Sequence, residues 1–431
     1  MHDPTAEAMS LDERQALQEH RLRELVDRLV AVDGVQGQRL RDAGIATSSD
    51  LTLDDLPRLP TTQKSDLWES YPFGMLAVPR EDIVAVHGSS GTGGRPTLVG
   101  YTKADLDLWG SMVARSLGCA RAGKGSLVHN AYGYGVFTGG LGFHLGAITA
   151  GATVVPMSGG MTQRQVRVLA DLRPQVLTCS PSYAVTLGEA VREAGVDASS
   201  LTAGIFGAEP WSDSLRDQLE SLWPGLKALD VYGLSEVIGP GVSTECIEAQ
   251  DGLHVNEDHF IVETIDPITG KPVSDGEVGE LVFTTPTKEA LPLLRYRSGD
   301  MASLTHGACV CGRTLVRMSK VIGRRDDMLV IRGVNVYPSE VEAVLLADER
   351  VRPHYLLVVD RRTPQTGLIV CCEADGEPSG TSAALVAAGS ERLGLRLDVR
   401  VLPVGSVPRQ EVGKAVRVVS WDDGAPPLPG L

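Results

Sequence analysis

The apolar positions of this chain change their spacing several times, and each change marks a different kind of element. Near the start, Leu22, Leu25, Val26, Leu29 and Val30 recur at helical intervals, and Ser10 stands three residues before Glu13. The spacing predicts an amphipathic helix, and the Ser-x-x-Glu pair predicts a capping box at its entry. Between residues 80 and 235 the short apolar runs "SLVHNA", "ATVVPM", "QVLTCS", "AGIFGAE" and "ALDVYG" alternate with helical patterns such as "TQRQVRVLADL" and "SYAVTLGEAVREAG". That alternation predicts α/β structure with a largely parallel sheet, in which ligands collect at the carboxyl ends of the strands. Residues 255–305 set the turn-rich "DPITGKPVSDGEVGE" between strand-like segments, which predicts antiparallel β-structure.

Beyond Gly323 the pattern changes again. "MLVIRGVNV" reads as a strand, "PSEVEAVLLAD" as a helix, "YLLVVD" and "GLIVCCEA" as strands, "TSAALVAAGSERLG" as a helix and "DVRVLPV" as a last strand. The expected organisation is a large N-terminal α/β domain with a β-rich subdomain (1–322), a hinge (323–327), a small α+β domain of order βαββαβ (328–423) and a disordered tail (424–431). No internal repeat is visible.

Composition narrows the function classes. With 431 residues, 42% of them hydrophobic, the chain has ample apolar sequence for two or three cores. A formal net charge of -15 argues against nucleic-acid or anionic-membrane binding, so a site for anions must concentrate its basic residues locally. The first residues lack the basic-then-apolar order of a secretory signal, and the most apolar region, from Gly135 to Met157, is interrupted by glycines and His144. A cytoplasmic protein with its seven cysteines reduced is the expectation; a homodimer stays open.

Three stretches carry candidate chemistry. "HGSSGTGGRPT" offers Ser89, Ser90 and Thr92 as donors and glycines whose backbone N–H groups can approach an anion, although such a cluster also reads as a surface turn. It matches neither a Walker loop nor a dinucleotide fingerprint. Cys246, His254, Cys309 and Cys311 are a ligand set for tetrahedral zinc, and four protein donors leave no open position, so such a site would be structural. His259 competes as the histidine ligand or bonds locally, and Cys119, Cys179, Cys371 and Cys372 read as core residues. Tyr132, Tyr134, Gly135 and Phe137, with the Gly207–Pro210 turn, offer a pocket for a flat acid.

Four spaced segments, "SSGTGGRPT", "YGLSEVIGPG", "YRSGD" with "GRRDDMLVIRGVNVYPSEVE", and "PRQEVGKAVR", resemble the core motifs of adenylate-forming enzymes. "NAYGYGVFTGGLGFHLGA" and "SGGMTQRQV" resemble the phenylacetate-CoA ligase branch, some members of which carry a zinc site. The resemblance covers essentially the whole chain, with one departure: Gly93 and Arg95 stand where relatives usually have threonine and lysine.

The resemblance implies that a carboxylic acid attacks the α-phosphate of ATP and that a thiol, normally that of CoA, captures the acyl-adenylate. Ser89, Ser90, Gly91 and Thr92 would cradle the leaving pyrophosphate, Glu236 would hold Mg²⁺, and Asp300 would accept the ribose hydroxyls. Gly207, Ala208, Glu209, Asp230, Tyr232 and Gly233 would line the adenine site, with Arg324 beside the nucleotide. Lys414 would bridge the carboxylate and the α-phosphate, Asp326 would lie in the hinge, and Gly333 would line the pantetheine path. Arg317, Lys320, Arg324, Arg325 and Arg332 would supply positive charge for CoA phosphates. Rival readings are a carrier-protein acceptor, a different oxyanion such as nitrite, and a zinc-stabilised binding protein without turnover.

Overall fold

The computed structural model describes residues 1–32, 34–89, 97–362, 366–410, 414–428 and 431. The helix Leu11–Ala31 opens with the expected capping box: the Ser10 hydroxyl accepts from the Glu13 N–H, and the Glu13 carboxylate accepts from the Ser10 N–H. Its apolar face buries Leu22, Leu25, Val26 and Leu29 against Leu40, Leu56, Leu59 and Leu294. Each such side chain contributes about 1.5–3 kcal/mol by leaving water, against about 1 kcal/mol for the cap. Burial therefore holds this helix in place, and the cap sets where it begins.

The centre is a nine-stranded sheet with the order Leu304–Thr305, Arg317–Met318, Leu253–Val255, Gly239–Glu245, Lys227–Leu234, Ala203–Gly207, Val176–Cys179, Leu127–Asn130 and Thr153–Pro156. The strands from Thr153–Pro156 to Lys227–Leu234 are parallel, as the alternating pattern predicts, and those beyond are antiparallel. The inner parallel strands Val176–Cys179 and Ala203–Gly207 are buried throughout, as expected where helices cover both faces of a sheet. From Leu127–Asn130 the chain steps out to the edge strand and then returns across it to Val176–Cys179, a reversal of order that opens a crevice at the carboxyl ends. A four-stranded antiparallel sheet, Ile261–Ile265, Gly279–Thr284, Tyr296–Ala302 and Gly323–Arg324, forms the β-rich subdomain.

In the small domain "MLVIRGVNV" is a hairpin and not the single strand expected. Leu329–Ile331 pairs with Val334–Val336, and the turn is made at Arg332 and Gly333, with φ of 51° and 83°. Glycine takes that conformation without steric cost, which is why the reversal occurs there. A four-stranded sheet follows, ordered Asp398–Leu402, Gly367–Ala374, Val351–Asp360 and Val418–Trp421, so a further strand lies beyond the six-element order expected. The segment expected to be a disordered tail lays Leu428 against Leu356, Val358, Ile369, Cys371 and Trp421, covering an apolar sheet face that would otherwise meet water. Side chains of both domains, Val185, Leu215 and Leu219 on one side and Val341, Leu345 and Leu357 on the other, belong to one continuous apolar cluster.

Candidate active site

Three charged groups converge beside the carboxyl ends of the parallel strands. Asp300, on the strand Tyr296–Ala302, pairs in register with Arg324 and is buried. Its Oδ2 accepts from the Tyr232 hydroxyl at 2.6 Å and its Oδ1 from Arg324 Nη1 at 3.2 Å. Burial raises the Asp300 carboxyl above its ordinary range, Arg324, Tyr232 and Lys414 oppose the rise, and Glu236 adds to it. Asp300 therefore stands within the fields of both Glu236 and Lys414, residues from opposite ends of the sequence.

Glu236 follows the strand Lys227–Leu234 and is buried, with its Oε1 3.6 Å from Lys64 Nζ. The turn that presents it needs a glycine: a Cβ on Gly233 would meet Gly239 O at 1.8 Å. Two residues that sequence reasoning missed brace Glu236. Lys64 faces its carboxylate, and the fully buried Lys288 donates to its carbonyl at 3.0 Å while its ammonium stands 5.1 Å from the Tyr101 ring centroid. Burial lowers Lys288 to about 8. No local signal marks either lysine, since Lys288 lies 52 residues from the group that it contacts.

Of the residues expected to line the adenine site, Tyr232 stacks on Phe283 at 5.8 Å. Asp230 is buried, which lifts its carboxyl to about 7. Ala208 takes a left-handed φ of 74° in the turn after Gly207. The Glu209 carboxylate is already engaged by two backbone donors, Ser182 N–H and Ala415 N–H, each at 2.9 Å.

The phosphate-loop motif sits on a hairpin stem. Ala85–Gly88 pairs with Leu98–Tyr101, and Ser89 N–H donates to Thr97 O at 3.1 Å. Ser90, Gly91 and Thr92, with Gly93 and Arg95, lie outside the described residues. Gly88 N–H donates to Val136 O at 2.9 Å, so the stem is joined to the aromatic segment proposed for the acid. There Tyr132 is buried and stacked on Phe143 at 5.3 Å, with its hydroxyl reaching toward Gly207 without closing a normal hydrogen bond. The Tyr134 hydroxyl accepts from Asn130 Nδ2 at 2.9 Å and lies 3.2 Å from His144 Nδ1. Gly135 turns with φ of 100°, and Phe137 stands half-exposed before the helix Thr138–Thr149.

Asp326 pairs with Arg324 at 3.1 Å where the chain leaves the large domain, whereas Gly333 lies at the exposed tip of its hairpin. The basic group expected for CoA is largely spoken for by carboxylates. Arg317 pairs with Asp251, Lys320 with Asp213, Arg324 with Asp300 and Arg325 with Glu280.

The Cys/His set also comes together. The ligand atoms of Cys246, His254, Cys309 and Cys311 all lie within 4.8 Å of one another. Cys246 Sγ is 3.7 Å from Cys309 Sγ, and Cys311 Sγ is 3.6 Å from His254 Nε2. A tetrahedral zinc with bonds of about 2.3 Å to sulfur and 2.0–2.1 Å to nitrogen would set these edges at about 3.8 and 3.6 Å, so the donors fit the ion. Cys309 N–H donates to Arg313 O and Gly312 N–H to Cys309 O, a knuckle that turns both sulfurs inward. His259 lies outside the set, 2.8 Å from Thr287 Oγ1 and 3.2 Å from Asp258.

A family model described as AMP-binding enzyme matches residues 14–288, and one described as AMP-binding enzyme C-terminal domain matches residues 333–421. The chain is 48% identical to a phenylacetate-coenzyme A ligase of Thermus thermophilus, over 97% of this chain and 99% of that protein. Among solved structures it is similar to 2-hydroxyisobutyryl-CoA ligase in the postadenylation state with 2-HIB-AMP, with a TM-score of 0.90 at 28% identity, covering 97% of this chain and 92% of that one. Against the same enzyme with 2-HIB-AMP and CoA in the thioesterification state the TM-score is 0.73, at 28% identity, covering 97% and 91%. The two domains here thus stand in an arrangement closer to the former.

Proposed function

The chain belongs to the AMP-binding, adenylate-forming enzyme family in its phenylacetate-CoA ligase-like branch, and from that membership we propose that it activates an aryl or arylacetic acid with ATP and transfers the acyl group to CoA. The observation that supports the reading is the buried Asp300, bonded by Tyr232 and Arg324 and within electrostatic reach of Glu236 and Lys414, with the hairpin stem joined to the Tyr132–Phe137 segment through Gly88 and Val136. Adenylation needs positioning and charge neutralisation more than covalent help from the protein.

The residues divide that work. Tyr232 and the small turn at Gly207 offer a flat surface to the base, and Asp300 has lone pairs left for the ribose beyond those taken by Tyr232 and Arg324. Glu236 would hold Mg²⁺, for which a hard carboxylate oxygen is a fitting donor; bound there, the ion would neutralise phosphate charge. Lys414 would supply a point charge where negative charge grows between the acid and the α-phosphate. After pyrophosphate leaves, rotation about the 323–327 hinge would withdraw Lys414 and present Gly333 along the thiol path. The Cys/His set would hold a structural Zn²⁺ with all four positions filled by protein. No disulfide joins any of the seven cysteines, which supports a reducing, cytoplasmic setting. Among the described residues no helix is long and apolar enough to cross a membrane.

A panel of aromatic and arylacetic acids, assayed for ATP–pyrophosphate exchange and then for CoA-dependent AMP release, tests the reading. Exchange with one acid class and AMP release on adding CoA are expected. Exchange without CoA-dependent release would move the acceptor to a carrier-protein thiol or another oxyanion, and absence of exchange with ATP still bound would sink the proposal.

A further inference from the structure

Glu209 lies in a turn held on both sides. Before it, a Cβ on Gly207 would meet Val231 O at 2.1 Å, so the strand end packs directly on its neighbour's backbone, and Ala208 then takes its left-handed φ of 74°. The turn aims the Glu209 side chain at two N–H groups. Oε1 accepts from Ser182, the second residue of the helix Pro181–Glu193, where free N–H groups and the helix dipole favour a carboxylate. Oε2 accepts from Ala415, the residue after Lys414 and a member of the other domain.

The same helix meets the small domain twice more. Thr186 and Glu189, four and seven residues beyond Ser182, share its face. Thr186 Oγ1 donates to Gln410 O at 3.3 Å, and the Glu189 carboxylate lies 3.1 Å from His354 Nε2 and 3.9 Å from Arg409 Nε. The small-domain chain is thus fastened before Lys414 at Arg409 and Gln410, and after it at Ala415. Of these contacts only the Glu209 bond is made to the backbone immediately beside the lysine.

Resting on the reading of Lys414 as the adenylation lysine, we propose that Glu209 is a positioning residue for the first half-reaction: anchored on the large domain by Ser182, its carboxylate grips the backbone beside Lys414 and sets where the ammonium stands. A lysine is a point charge on a flexible stem, so its position is inherited from its backbone. Rotation about the hinge must break the bond to Ala415, which confines the effect to adenylation.

The experiment compares Glu209→Ala and Glu209→Gln with the unaltered protein. Glu209→Ala should lower the kcat of ATP–pyrophosphate exchange by about ten- to a hundredfold, the scale of loss from a misplaced catalytic group. KM for ATP and the rate of thioester formation from supplied acyl-adenylate should change by less than about twofold. Glu209→Gln keeps one acceptor oxygen and should recover part of the loss. Hydrogen exchange at the peptide containing Ala415, measured without substrate, should quicken in Glu209→Ala by more than at other peptides of the small domain. Because this readout needs no acid, it stands apart from whether the proposed reaction is correct. A raised KM for ATP with unchanged kcat would return Glu209 to the nucleotide site. Equal loss of both half-reactions, or unchanged exchange at Ala415, would overturn the proposal.

Discussion

The Cys/His cluster and the proposed adenylation site are both gathered from distant stretches of chain, yet they are completed in different ways. The cluster lies wholly in one domain. His254 is in the strand Leu253–Val255, Cys246 follows the adjoining strand Gly239–Glu245, and Cys309 and Cys311 fall between Leu304–Thr305 and Arg317–Met318, all neighbours at one end of the sheet. Once those strands pair, the donors have met. The proposed adenylation site would take Tyr232, Glu236 and Asp300 from the large domain and Lys414 from the small one, so it would be complete only in one domain arrangement. A centre closed within one sheet serves stability, and a centre divided by a hinge can serve two steps in turn.

The sharpest way to break this contrast is Lys414→Ala. Exchange should fall by about 10²–10³-fold, the usual cost of removing a preorganised charge or donor, with the melting temperature unchanged. Thioester formation from supplied acyl-adenylate should persist, and Gly333→Phe should show the reverse, blocking CoA capture while sparing exchange. Comparable loss of both half-reactions in both variants would mean that the site is not divided by the hinge.

The cluster should respond through stability instead of rate. Cys309→Ser is expected to lose about one zinc per chain and about 2 kcal/mol or more of stability, a drop of roughly 3 °C, with exchange by the folded remainder little altered. Full metal content and full stability in that variant would dissolve the zinc assignment.

The smallest effect belongs to His259. Burial holds His259 down to about 4, with Asp258 opposing that shift. The unfolded chain takes up the proton first as pH falls below about 6.5, so this contribution is present above 6.5 and fades toward 4, amounting to about 2 kcal/mol by pH 5. Melting of wild type and His259→Gln between pH 7 and 5 should show a steeper loss in wild type. Parallel curves would place the acid sensitivity elsewhere.

Much of this division is legible in the amino-acid sequence. The helical spacing of Leu22 to Leu29, the alternation from residue 80 to 235 and the Ser10–Glu13 cap are local patterns, set by backbone geometry and side-chain burial within a few residues. Glu236, Asp300 and Lys414 are marked only by the motifs that the chain shares with adenylate-forming enzymes, whereas the four Cys/His donors are marked by residue type. Where spacing is ambiguous it misleads: "MLVIRGVNV" has the apolar content of one strand, and only the φ values at Arg332 and Gly333 reveal the hairpin.

What tertiary structure alone decided is which of these groups face one another. The sheet order brought His254 to the sulfurs and left His259 with Asp258 and Thr287. Side-chain packing put Lys64 and Lys288 on Glu236, and the domain arrangement put Ala415 on Glu209. No periodicity records such meetings, because they depend on strand pairing and domain orientation over tens to hundreds of residues. Local sequence determined the elements and the chemistry they carry; the geometry among them arose only when apolar surfaces from both domains were buried together.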